Sequence, residues 1–461
     1  MAVETLVGKV PEKWEYTTLG EACARGGGDI QTGPFGSQLH AADYVPSGIP
    51  SIMPQNIGDN RVVPEGIARI TKQDAERLSR YRVRPWDIVY SRRGDVERRA
   101  LIRPSQDGWL CGTGCLRVRF GGGQISPVFA SYYLGDSRVR EWIVRHAHGA
   151  TMPNLNTSIL SALPFVVPPP EEQQFIARIL GVLDDKIDLN RRMNETLEGI
   201  AQALFKSWFV DFDPVRAKAQ GHDPGLPRPI AELFPSFFEG TELGDAPKGW
   251  ETRSLGDICL RVSMGPFGSD IKTDNFVPVG VPVVRGGNLK DGFVDDRFVY
   301  LSEEKATELK NANAFPGDLV ITHRGTLGQV GIIPRKCRFP RYVVSQSQMV
   351  LSVDPSQASP EFVFSFLCSK NGQYQLLANT SQTGVPAIAR PTTSVKAIRI
   401  VLPPTSILRL FDTVVGRFSE RRNACRVESR TLIALRDALL SKLISGELRI
   451  PDAERIVGAQ A

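Results

Sequence analysis

The sequence predicts a mixed α/β (α+β) protein in which one plan is used twice: a globular domain followed by a long helix, then a second such pair. Three observations predict it. Turn residues recur at an offset of 231–236 along the 461-residue chain, each recurrence ends in a proline stop, and each stop opens a run of heptad-spaced apolar positions.

The repeat is legible residue by residue. Trp14, Leu19 and Gly20 match Trp250, Leu255 and Gly256, and Gly33-Pro34-Phe35-Gly36-Ser37 matches Gly265-Pro266-Phe267-Gly268-Ser269. Tyr44-Val45-Pro46 answers Phe276-Val277-Pro278, Gly48-Ile49-Pro50 answers Gly280-Val281-Pro282, and Asn56 falls on Asn288. Further on, Asp87-Ile88-Val89 with Arg93-Gly94 lines up with Asp318-Leu319-Val320 with Arg324-Gly325. Late in each copy an apolar segment runs into prolines, Leu163–Pro170 and Ile398–Pro404. The period is far longer than a solenoid repeat, so each copy is expected to be a domain. Matched Gly and Pro hold a backbone path. Side chains between them differ, as in Ser91-Arg92-Arg93-Gly94-Asp95 against Thr322-His323-Arg324-Gly325-Thr326. One scaffold with different loop chemistry suits two related readers of different targets.

After Pro168-Pro169-Pro170 the periodicity becomes helical. Glu171 and Glu172 suit the dipole of a first turn. Ile176, Leu180, Leu183, Ile187, Asn190, Asn194, Leu197, Ala201, Leu204 and Trp208 alternate steps of four and three, a heptad seam with polar residues at its middle. The second seam reads Leu408, Phe411, Val415, Phe418, Arg422, Cys425, Ser429, Leu432, Arg436, Leu439 and Leu443. Helices of ~40 residues run roughly 60 Å. Residues 171–209 hold seven acids and five bases, and residues 405–446 hold eight bases and four acids. Opposite charge favours pairing of the two helices; the other reading packs each on its own domain. The boundaries are then 1–168 for the first domain, 169–212 for the first helix, 213–245 for an irregular connector with aromatic anchors, 246–402 for the second domain, 403–447 for the second helix and 448–461 for a loosely held tail.

Composition narrows the function. No apolar run reaches the ~18 residues of a membrane span. Met1–Trp14 carries charges and a proline where a signal peptide needs an apolar core, so the expected location is cytoplasmic. Seven scattered cysteines form no zinc-type constellation and read as buried thiols, and His146 and His148 read as surface residues rather than metal ligands. No metal site is expected. Gly-Pro-Phe-Gly-Ser lacks the Lys-Ser/Thr of a phosphate loop and reads as a tight turn. No methyltransferase Asn/Asp-Pro-Pro-Tyr/Phe motif, Walker lysine or nuclease-like acidic cluster occurs, so catalysis is expected from partners. Charge is uneven: residues 77–103 hold nine arginines against Asp87, Asp95 and Glu97. Such a stretch is either a phosphate-binding footprint or a solvated basic surface.

The order domain, long helix, domain, long helix resembles the specificity (S) subunit of type I restriction–modification enzymes. The resemblance rests on Trp-x₄-Leu-Gly at each domain start, on Gly-Pro-Phe-Gly-Ser, on Pro168-Pro169-Pro170-Glu171-Glu172-Gln173-Gln174 through Lys206-Ser207-Trp208-Phe209, and on Ser441–Leu448. It covers residues 10 to 450. It implies two target-recognition domains, each reading half of a bipartite, asymmetric site in double-stranded DNA. The helices would form an antiparallel coiled coil that sets the spacer and docks two methyltransferase (modification) subunits, which restriction/translocase subunits join. It implies a non-catalytic chain without cofactor, S-adenosylmethionine, ATP and magnesium belonging to the partners. The alternatives are a self-sufficient nucleic-acid enzyme and a protein scaffold.

Candidate DNA contacts on this reading are Arg92, Arg93, Arg98 and Arg99 in the first domain and His323, Arg324, Arg335 and Lys336 in the second, since arginine reaches guanine O6/N7 or phosphate. Candidate helix-pairing residues are Ile176, Leu183, Ile187, Asn190, Leu197, Leu204, Trp208, Phe418, Leu432 and Leu439.

Overall fold

The computed structural model of the chain describes residues 3–149, 152–268, 270–290, 292–381 and 384–448. Ser269 of the second Gly-Pro-Phe-Gly-Ser, and residues 449–461 of the expected tail, lie outside the described residues. Two compact units result: one of residues up to 189 together with those from 428, the other of residues 190–427. Each unit therefore contains one domain and half of each long helix.

In the first unit β1 (Gly27–Thr32), β2 (Ile88–Ser91), β3 (Arg99–Leu101) and β4 (Cys115–Gly121) form an antiparallel sheet in the order β1-β4-β2-β3. The period of two divides its side chains between two cores. Ile88, Tyr90, Leu116 and Val118 enter the larger core, and Val89 and Cys115 a smaller one. Burial on both faces explains why Ile88–Ser91 is buried at every position. Strand Tyr44–Ile52 adds a second sheet, pairing in parallel with Leu110–Cys111. Asn56, fully buried, spans a turn there: its Oδ1 accepts from Met53 N (3.1 Å) and its Nδ2 donates to Val63 O (3.0 Å).

The domain closes on its own beginning. Pro164–Val167, which feeds the long helix α1 (Pro170–Phe209), pairs antiparallel with Glu15–Thr18. Thr18 then caps a short helix in a capping box with Glu21. Gly20 lies against Ser161; a Cβ there would sit 2.8 Å from the Ser161 Cβ, which accounts for glycine in the matched Trp-x₄-Leu-Gly. Trp14 Nε1 donates to Glu172 Oε2 (2.9 Å), tying that motif to the first turn of α1.

The second unit repeats the plan. β5 (Cys259–Met264), β6 (Leu319–Thr322), β7 (Val330–Ile332) and β8 (Gln348–Val353) take the order β5-β8-β6-β7. Leu319, Ile321, Met349 and Leu351 face one core and Val320 and Val350 the other. Val281–Val284 pairs in parallel with Tyr342–Val344. Asn288 makes the bonds of Asn56, accepting from Arg285 N (3.0 Å) and donating to Val294 O (3.2 Å). Arg399–Leu402, entering the long helix α2 (Thr405–Ile444), pairs with Glu251–Ser254.

Both expectations for the helices hold together, because each seam has two neighbours. In the first unit Phe175, Ile176, Ile179, Leu180 and Leu183 of α1 share the large core with Leu439, Leu440, Leu443 and Ile444 of α2. In the second, Phe205, Trp208 and Phe209 share theirs with Ile407, Leu408, Phe411 and Val415. The start of one helix meets the end of the other, so the pairing is antiparallel. Ile176, Leu183, Asn190, Trp208 and Leu439 are buried, and Ile187, Leu197, Leu204, Phe418 and Leu432 are half-buried. The arginines on the seam are matched by acids: Arg436 pairs with Asp184 (2.8 Å) and Asp59 (3.0 Å), and Arg422 with Glu198 (2.7 Å).

The connector has more structure than an irregular segment. Asp213–Ala219 and Arg228–Ala231 are short helices with proline in the first turn, and Phe238–Thr241 pairs with Gly244–Pro247. Its aromatic anchors are real: Phe234 is buried beside Trp208 (5.2 Å), and Phe212 meets Trp250 (5.7 Å). Among the described residues no helix is long and apolar enough to cross a membrane.

Arg436 is mostly buried and Asp184 also accepts from the Tyr132 hydroxyl (2.8 Å), so an unmatched member would be costly. Arg436→Met is predicted to destabilise the first unit by about 3 kcal/mol in urea melts, with Asp184→Leu added in the same chain restoring most of it. Equal loss in single and double variants would refute the coupling.

Candidate nucleic-acid interface

At one end of each central sheet the same backbone bonds build the same loop cluster. In the first domain the chain leaves β2 at Ser91, and Arg92 N donates to Gly114 O (2.8 Å) while Leu155 N donates to Arg92 O (2.9 Å). Gly94 N donates to Pro153 O (3.2 Å), and Gly33 N to Cys115 O (2.9 Å). In the second domain His323 N donates to Ser347 O (3.0 Å), Ile388 N to His323 O (2.9 Å), Gly325 N to Pro386 O (2.8 Å) and Gly265 N to Gln348 O (2.8 Å). Gly33 and Gly265 permit this approach, because a Cβ would lie 2.1 Å from Gly112 O in one and 2.0 Å from Ser345 O in the other. The Gly-Pro-Phe-Gly turn is thus locked beside the strand-end loop in both copies.

What the clusters expose differs. Arg93 and Arg324 occupy equivalent positions, each bridged to the neighbouring segment (Asn154, Ala387), and both side chains are exposed. Each is flanked by solvent-facing apolar groups: Phe35 and Met152 in the first domain (54% and 61% exposed), Phe267 and Val385 in the second (76% and 55%). Arg92 is half-buried with its guanidinium over the Phe35 ring (5.8 Å). Arg98 is exposed and paired with Asp95 (2.9 Å). An exposed guanidinium beside apolar groups can read guanine or hold phosphate while its neighbours meet thymine methyls.

Other candidates stand elsewhere. Arg99 lies within β3, and with 4% of its surface exposed it cannot contact DNA; its Nε donates to Ser131 O (2.6 Å), and burial pulls its pKa down. His323 is buried, with Nε2 bonded to Gln346 O (3.1 Å) and its pKa lowered by burial. Both residues sit where the sheet buries both faces, which an arginine count cannot reveal. Arg335 and Lys336 follow β7, which runs antiparallel to β6 with Ile332 opposite Leu319. They therefore stand at the opposite end of the hairpin from Arg324, with the four-residue strand β6, roughly 13 Å long, between the two ends. There they pair with Asp412 (3.5 Å) and Glu420 (3.6 Å) of α2.

Much of the basic stretch at 77–103 is likewise occupied internally. Arg77 pairs with Asp74, Arg82 donates to Gly108 O (3.0 Å), and Arg103 lies over Trp86 (6.0 Å). Cys111 and Cys115 are buried, and burial pushes the Cys111 thiol up to about 12. The segments Met152–Asn154 and Val385–Ala387 escaped the sequence reading. The signal for them was Met-Pro against Val-Pro at an offset of 233.

Arg99→Ala is predicted to cost about 3 kcal/mol in denaturant melts, and Arg93→Ala less than ~0.5 kcal/mol, since one is built into the core and the other faces water. Similar losses for the two would contradict this division.

Comparison with known proteins agrees with this architecture. Residues 11–199 and 247–418 match the model of the type I restriction modification DNA specificity domain. The specificity subunit of the type I restriction enzyme MjaIX from Methanocaldococcus jannaschii is 24% identical over 455 residues, 97% of this chain and 96% of the relative. That of HindI from Haemophilus influenzae is 26% identical over 409 residues, 79% of this chain and 87% of the relative. The S subunit of a type I restriction–modification system from M. genitalium shares the fold, with a TM-score of 0.53 at 15% identity over 93% of this chain and 96% of that one. With its two copies both matched, the chain belongs to the type I restriction–modification DNA specificity family.

Proposed function

We propose that this chain is the DNA-recognition subunit of a type I restriction–modification complex, in which each domain reads one half of a bipartite, asymmetric site in double-stranded DNA. What supports the reading most is the loop cluster built twice by the same backbone bonds and furnished with different side chains, Arg93 with Phe35 and Met152 against Arg324 with Phe267 and Val385. The common frame suits a common way of approaching DNA, and the unlike side chains suit unlike half-sites. The paired helices act as the spacer and dock two modification subunits, which restriction/translocase subunits join for cleavage. On this reading the chain is non-catalytic and needs no cofactor of its own; S-adenosylmethionine, ATP and magnesium work in the partner subunits.

Exchanging residues 250–400 for the corresponding domain of another family member is predicted to change one half of the methylated motif, read by methylome sequencing. A change in both halves would end the idea of independent reading. Arg324→Ala is predicted to relax the same half and weaken duplex binding by about 1–3 kcal/mol, with affinity falling steeply as salt rises. Salt-independent binding would favour a scaffold instead, and methyl transfer or cleavage by the purified chain alone would favour a self-sufficient enzyme. One heptad added to α1 and its matching stretch of α2 is predicted to lengthen the spacer; an unchanged spacer would remove the ruler role.

A further inference from the structure

Between Tyr342–Val344 and β8 the chain reverses in a tight turn, Ser345–Gln348, closed by Gln348 N donating to Ser345 O (3.0 Å). The residue before Arg324 pins this turn from outside. His323 N donates to Ser347 O (3.0 Å), and His323 Nε2 donates to Gln346 O (3.1 Å). On the other side Ser345 N donates to Val284 O (2.9 Å). The first domain builds the same turn from Gly112–Cys115, with Cys115 N donating to Gly112 O (3.2 Å) and Arg92 N to Gly114 O (2.8 Å). At the second residue of the turn stands exposed Gln346 in one copy and half-buried Thr113 in the other.

The glutamines around this turn fall into two groups. Gln329 Oε1 accepts from Thr322 Oγ1 (3.1 Å), and Gln348 Nε2 donates to Thr322 Oγ1 (3.3 Å) while its Oε1 accepts from Ser345 Oγ. Both of those amides are engaged within the domain. The Gln346 amide has no hydrogen-bond partner among the described residues. It lies against the Gly-Pro-Phe-Gly turn, where a Cβ on Gly268 would sit 2.6 Å from Gln346 Oε1; at the matching Gly36 nothing comes within 4 Å. An uncommitted carboxamide on a pinned backbone suits one partner well. Its oxygen can accept from N6 and its nitrogen donate to N7 of a single adenine in the major groove. Threonine, with one hydroxyl, cannot make that pair. His323 joins the two outward side chains of the cluster, since its main chain runs into Arg324 and its ring holds the Gln346 carbonyl.

We infer that Gln346 is a specificity-determining residue of the second domain, pairing with an adenine in the half-site that Arg324 also contacts. The inference rests on the recognition function proposed above and names one base within it. Arg324 supplies a charge that guanine and phosphate both accept, whereas Gln346 supplies a donor and an acceptor that match the major-groove edge of adenine.

The test expresses the full-length chain with the modification subunit of its own system and reads the methylated motif. Gln346→Thr places the first domain's residue on the same turn, so its melting is expected to match the parent's. In the half assigned to the second domain by the exchange of residues 250–400, one A·T pair is expected to become degenerate, and the other half to stay unchanged. The parent is expected to bind a duplex with that pair replaced by G·C about tenfold more weakly, and Gln346→Thr to bind the two duplexes alike. An unchanged motif would overturn the inference, as would degeneracy at a G·C pair or in the first half. So would equal weakening on every duplex, the mark of a phosphate contact. A parent that binds all duplexes alike would refute the recognition function itself; a selective parent whose Gln346→Thr variant is equally selective would refute the adenine pairing alone.

Discussion

The structure depends on one constraint: a forty-residue helix with an apolar seam must bury that seam along its whole length. Each helix is therefore divided, one half packing on the domain that precedes it and the other half completing the core of the second unit in which it takes part. Phe175–Leu183 and Leu439–Ile444 make one composite core, Phe205–Phe209 and Ile407–Val415 the other. Each long helix thus contributes residues to the cores of both units.

Polar groups on the seam follow from the same constraint. Arginine inside a coiled coil is expensive unless its charge is met, and each seam arginine is met by a carboxylate from the other helix: Arg436 by Asp184, Arg422 by Glu198. Charge specifies the antiparallel partner where leucine alone would tolerate several alignments. The same helix leaves Arg409, Arg417 and Arg421 exposed, so its positive charge is divided between pairing within the chain and its solvent-facing side.

In the domains the division of labour is between backbone and side chain. Asn56 and Asn288, Gly20 and Gly256, Gly33 and Gly265 hold turns that the two copies share, through bonds and close approaches that no other residue type makes as well. The strand ends they support carry side chains under no such restraint. Arg93 and Arg324 coincide, whereas Arg92 rests on an aromatic ring where His323 is buried. A frame of this kind changes what it recognises without changing how it folds.

Much of this was legible in the sequence alone. The duplication, both helices, their heptad seams and their opposite charge follow from the spacing of Trp, Gly, Pro and leucine-like residues, because turns and seams are local requirements. Arg93 and Arg324 were legible as equivalent positions for the same reason. Burial was not. Arg99 and His323 stand one or two residues from exposed arginines, and only the sheet, packed on both faces, separates core from surface there. Arg335 and Lys336 stand with Arg324 among the candidate DNA contacts, yet the β6–β7 hairpin reverses the chain and carries them to the far end. Nor could periodicity show that each helix seam belongs to two cores. Local spacing carries the shared turns, the two long helices and the duplication itself; which charges face water, which partner each helix half has and how the connector folds depend on neighbours distant in the chain, and so were settled only by the tertiary fold.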